Sequence, residues 1–116
     1  MTSSVREIDE ETVAAYQADG VVVLRGVFAD WVEPLRAGIA ALMADPSPLE
    51  RTVKPADSSA PFFQDLCNWQ RIPEFTAFVH HRKGAALAAN LMRSRTARFF
   101  HDHVLVKQPG TSTVTP

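Results

Sequence analysis

The run from Ala97 to Lys107, Ala-Arg-Phe-Phe-His-Asp-His-Val-Leu-Val-Lys, places the tightest constraint on what this chain can fold into. It is rich in aromatic and β-branched residues and holds neither Gly nor Pro, so it reads as a buried strand. Side chains along a strand point alternately to its two faces. Phe99, His101, His103, Leu105 and Lys107 then share one face, and Phe100, Asp102, Val104 and Val106 share the other. Two imidazoles become neighbours on one side, and the run leads into a polar loop, Gln108 to Pro116. Such a strand also needs partners, because an unpaired edge with apolar side chains invites self-association.

Composition narrows the class. The chain has 116 residues, 46% of them hydrophobic, which fits one domain over residues 1–116 with enough apolar material for a core. A net charge of −1 leaves no basic surplus to neutralise phosphates, so nucleic acid is not an expected partner. The longest apolar runs, Val21 to Leu24 and Ala85 to Ala89, fall well short of the roughly 20 residues that cross a bilayer, so no membrane span is expected. The first residues lack the apolar segment of a signal peptide, which makes a cytoplasmic location the expectation. Cys67 has no partner for an internal disulfide and reads as a small packing residue beside Leu66.

Local signals punctuate the rest of the chain. Asp9 is placed as an N-cap, Ile8 and Val13 as a hydrophobic staple and Gly20 as a left-handed C-cap, which predicts a helix over Glu10–Asp19. Val21 to Leu24 is β-branched without alternation and reads as a strand covered on both faces. Asp30 and Glu33 have capping-box spacing, and Leu35, Ile39, Leu42 and Met43 follow at helical spacing, which predicts a second helix ending near Ala44. The prolines, Asp57, Ser58 and Ser59 mark a surface loop over about 45–60. Pro73 suits the first position of a third helix that carries Phe75, Phe78 and Val79 and ends near His80-His81, and Ala85 to Met92 predicts a fourth.

A His-x-His pair on a strand can supply two metal ligands, as in a small cupin-like metalloprotein, but His101 and His103 are followed by no Asp, Glu or His that could complete the set. Hydrogen-bonded imidazoles lining a polar pocket are the other reading, and no metal is expected to be held by this chain's own residues. Lys107 has the parity of the histidines and lies at the strand's end, where it meets either an anionic ligand or solvent. Gln64, an amide between Phe63 and Asp65, suits a ligand carboxylate or a backbone hydrogen bond equally well. Trp31 and Trp69 read as packing aromatics, and His80-His81 as a solvated helix end.

Phe62-Phe63-Gln64-Asp65-Leu66, Asn68-Trp69 and Ile72-Pro73-Glu74-Phe75, followed by Phe100-His101-Asp102-His103-Val104-Leu105-Val106-Lys107 and Pro109-Gly110, resemble in order and spacing the N-terminal part of the phytanoyl-CoA dioxygenase family. The likeness spans roughly Val21 to Pro116. Members are iron(II)- and 2-oxoglutarate-dependent oxygenases, and in them the stretch similar to Thr115-Pro116 is followed closely by a His-x-Asp metal motif. The resemblance implies an α+β fold, with N-terminal helices packed on the first strands of a double-stranded β-helix, a jelly-roll barrel left incomplete here. It implies that the strand holding His103 lines the barrel, that His103 approaches 2-oxoglutarate, with His101 a strand step away, and that Gln64 lies in the cosubstrate and substrate pocket. Fe(II), 2-oxoglutarate and a small-molecule substrate are then expected of the complete protein, and neither activity nor cofactor binding of this chain alone. A non-catalytic domain that binds a small ligand or a partner is the alternative. Self-association through an exposed strand 97–107 is a further expectation.

Overall fold

The computed structural model describes residues 8–115. The order is α1 (Glu10–Asp19), α2 (Val32–Ala44), β1 (Phe62–Leu66), α3 (Pro73–His80), α4 (Arg82–Leu91) and β2 (His103–Lys107), an α+β arrangement. The strands form a two-stranded antiparallel sheet. Among the described residues no helix is long and apolar enough to cross a membrane.

α1 takes the expected bounds because both ends are closed locally. The Asp9 carboxylate accepts from the Thr12 backbone N–H at 2.8 Å, and Gly20, at φ 74°, donates its N–H to the Tyr16 carbonyl. Two long-range contacts fasten the helix to the end of α4. Gln17 Nε2 donates to the Leu91 carbonyl at 2.7 Å, and Arg93 meets Glu10 at 2.6 Å.

Val21 to Leu24 is not a strand. The segment is without a ladder partner, and Val21 and Val23 are 67% and 72% exposed. Stiff β-branched side chains favour extended backbone, but a strand also needs a neighbour with free peptide groups. This segment instead borders a cleft shared with α1 and α4, helices whose inner peptide groups are already paired.

α2 begins through a short 3-10 turn, Ala29–Trp31, which takes up Asp30. The expected capping box therefore does not form: Trp31 is the N-cap without a side-chain hydrogen bond, and Glu33 pairs with Arg36 instead. Leu42 is fully buried and Met43 faces outward. α3 starts on Pro73 as expected. α4 starts three residues before the expected Ala85, because the His81 imidazole accepts the Lys83 N–H at 3.3 Å and caps it. His81 also stands edge-on to Trp31, whose ring packs in the same way against Phe78.

The core joins α2, α3 and one sheet face: Leu42, Phe63, Ile72 and Phe75 are buried together, with Val104 and Val106 packed on them. Gly38 sets the distance between α2 and α3. A Cβ built there would lie 2.7 Å from Phe75 Cε1. In contrast, Gly84 in α4 has nothing within 4 Å of such a Cβ. Gly38→Ala is therefore expected to lower unfolding free energy by ~1–3 kcal/mol through overpacking. Gly84→Ala should raise it by up to ~1 kcal/mol through helix propensity. Urea titration of the two variants checks the opposite signs, and equal shifts would refute the close approach of α2 and α3.

Candidate ligand-binding face of the sheet

β1, absent from the sequence-based expectation, pairs with β2 in the register Phe62↔Lys107, Phe63↔Val106, Gln64↔Leu105, Asp65↔Val104 and Leu66↔His103. Residues directly opposite in an antiparallel ladder share a face. Phe63, Asp65, Val104 and Val106 accordingly take the helix side, and Phe62, Gln64, Leu66, His103, Leu105 and Lys107 the other. Gln64 sits diagonally between His103 and Lys107, a spacing of about 7–8 Å that long side chains bridge.

Three of the expected site residues, Gln64, His103 and Lys107, are thus brought to one face, and His101 is not. The strand is shorter than the expected 97–107 and starts at His103. Asp102 is the cause. Its carbonyl accepts the Cys67 N–H at 3.0 Å, and its carboxylate oxygens accept the backbone N–H groups of Asn68 at 3.1 Å and Trp69 at 2.9 Å. The residues before it leave the ladder, and the His101 ring rests edge-on to Phe100, with both residues exposed. Nor is β2 buried on both faces: alternate residues His103, Leu105 and Lys107 are exposed, while Val104 and Val106 are half-buried.

The face is open to solvent along His103, Leu105 and Lys107, whereas Gln64 and Leu66 are half-buried and Phe62 is buried. Leu105 is 49% exposed. Lys107 Nζ donates to Thr115 Oγ1 at 2.8 Å and lies 5.8 Å over the Phe62 ring, so its charge is tethered at the end of the face. The loop 45–60 contributes a bridge, Val53 to Phe62, and an Arg51 N–H bond to the Gln64 carbonyl at 2.8 Å. Two clefts lie elsewhere, one of about 530 Å³ between α1, residues 22–27 and α4, and one of about 200 Å³ beside Phe78, Ala88 and Phe99.

Searched against protein-family models, curated proteins and solved structures, the chain matches none. Its chemistry has to be read from its own residues. Among those described, no group of three His, Cys, Asp or Glu side chains could hold a metal ion.

Asp65 escaped sequence reasoning and proves to be the most buried charge of the sheet. Its side chain is fully covered, and it accepts from Ser47 N–H at 2.7 Å, Ser47 Oγ at 2.5 Å and the Leu66 N–H at 2.8 Å. Burial pushes this carboxyl up, but the hydrogen bonds from Ser47 and Leu66 outweigh it and hold the group below its ordinary value of 3.8. The one readable signal was an acidic residue inside a run otherwise rich in large apolar side chains, Phe62-Phe63-Gln64-Asp65-Leu66, which announces a paired carboxylate without naming its partner. Cys67 was expected to pack inside. It is exposed, and it turns the chain at φ 60° out of β1. His80 is exposed at the end of α3, as a solvated helix end should be, with Nδ1 2.9 Å from the Thr76 carbonyl.

A carboxyl with a lowered folded value stabilises the protein above its unfolded value, and that contribution is lost as pH falls through the folded one. Asp65 should therefore make unfolding free energy decline as pH drops below about 4. At pH 7, Asp65→Ala is expected to cost ~1–3 kcal/mol, since the Ser47 and Leu66 donors lose their partner. Urea midpoints of wild type and variant at pH 7 and pH 3 should converge on acidification. A gap unchanged with pH would contradict the ionised state.

Proposed function

We propose that this chain builds the cosubstrate-lining part of an iron(II)- and 2-oxoglutarate-dependent oxygenase of the phytanoyl-CoA dioxygenase kind, its helices lying outside a double-stranded β-helix. The β1–β2 register carries the proposal, because it turns Gln64, His103 and Lys107 to the sheet face opposite the helices. That is the side a jelly-roll barrel encloses. On this face the His103 imidazole and the Gln64 amide offer donors to a carboxylate or keto oxygen, and Lys107 adds a cation one diagonal step from Gln64. Leu66 and Leu105 supply the apolar surface that a small or lipid-like substrate needs.

The described residues do not fit an iron site, since His101 has left the strand and no third ligand stands near His103. In this reading the iron ligands lie outside them, and the role of the present residues is to bind and orient 2-oxoglutarate and to exclude water. A non-catalytic ligand- or partner-binding domain is the second reading. It is favoured by the apolar groups left in solvent, with Phe100 89% exposed.

Residues 1–116 alone are expected to form no succinate from 2-oxoglutarate with Fe(II). The protein encoded by the uninterrupted reading frame of the source nucleic acid is expected to do so, with a His-x-Asp motif soon after Pro116. In that protein His103→Ala or Gln64→Ala should raise KM for 2-oxoglutarate by about tenfold, the worth of one hydrogen bond to a charged group. A stop codon directly after Pro116, succinate formation by residues 1–116, or an unchanged KM in both variants would overturn the oxygenase reading.

A further inference from the structure

The sheet has an outer edge, along His103, Leu105 and Lys107, whose peptide groups the cosubstrate reading does not use, although it does use their side chains. Phe62 exchanges both of its backbone hydrogen bonds with Val53, at 2.9 Å each, and the Gln64 carbonyl accepts from Arg51. Alternation along β1 then points the peptide groups of Phe63 and Asp65 toward β2, where they meet Val106 and Val104. The Cys67 bond to the Asp102 carbonyl continues the same phase. It follows that the peptide groups of His103, Leu105 and Lys107 point away from β1. Among the described residues they make no backbone hydrogen bond on that side.

We propose that this outer edge of β2 docks one extended segment by strand addition, and that the segment carries an apolar residue flanked two positions away on each side by carboxylates. Main-chain pairing supplies the attachment and the alternate side chains supply the choice of partner. Leu105 takes the apolar residue. His103 and Lys107 take the carboxylates, Lys107 Nζ having donors left after its bond to Thr115. No carboxylate of the sheet competes: Asp102 is turned onto Asn68 and Trp69, and Asp65 onto Ser47 on the opposite face. A second copy of the chain fits less well, because antiparallel pairing of two β2 strands about Leu105 sets Lys107 against His103 at both ends with no carboxylate between them.

The test uses residues 1–116 and a labelled peptide, Thr-Glu-Thr-Leu-Thr-Glu-Thr, followed by amide shifts and fluorescence anisotropy. The acidic peptide should bind at least about tenfold tighter than the same peptide with lysine in place of glutamate, and Lys107→Glu should reverse that preference. N-methylation at the glutamates and central leucine, whose N–H groups face β2, should abolish binding. N-methylation at the threonines between them should leave it intact. No binding of the acidic peptide, equal binding of both peptides, indifference to the position of methylation, or a dimer of the chain paired through β2 would each overturn the proposal. These outcomes are read without 2-oxoglutarate turnover, so they stand apart from the oxygenase reading.

Discussion

Antiparallel pairing of Phe63 with Val106 and of Asp65 with Val104 holds two valines against the helices and turns the intervening residues outward. Because side chains alternate with a period of two, a slip of one residue would exchange the faces. Gln64 would then move into the helix side and Asp65 into solvent. The position of every candidate binding residue on the sheet depends on this register.

Two carboxylates pin it. Asp65 ties β1 to the turn at Ser47, just after α2, and Asp102 ties the start of β2 to the turn at Asn68 and Trp69, just before α3. Each satisfies backbone N–H groups that would otherwise be buried without partners. The Asp102 bonds also set where β2 begins, which is why His103 belongs to the sheet and His101 does not. One residue thus decides both the strand's length and the membership of the site.

Legibility followed the range of the interactions. The bounds of α1 were readable because Asp9 and Gly20 act within one turn of the helix they close, and Pro73 announced α3 in the same local way. The parity of His103, Leu105 and Lys107 was readable because it needs only alternation. β1 was not, since Gln64 and Asp65 interrupt its apolar residues and its partner lies about 40 residues away in the chain. Val21 to Leu24 misled for the opposite reason: its composition favours extended backbone, yet no neighbouring ladder is offered. The role of Asp102 was hidden because alternation gives only its face, opposite the histidines, whereas its partners are the N–H groups of a turn more than 30 residues away in the chain.

The fold therefore presents a helix-covered sheet whose other face is exposed at His103, Leu105 and Lys107 and whose β2 edge is free of backbone partners among the described residues. Both properties rest on the β1–β2 register, and cross-strand proton NOEs measure it directly. In non-hydrogen-bonded antiparallel pairs the Cα atoms are about 4.5 Å apart and their α-protons give strong cross-peaks. The expected cross-peaks join Gln64 to Leu105 and Leu66 to His103. Cross-peaks joining Gln64 to Val104 or Val106 instead would mean a slipped register, with Gln64 and His103 on opposite faces.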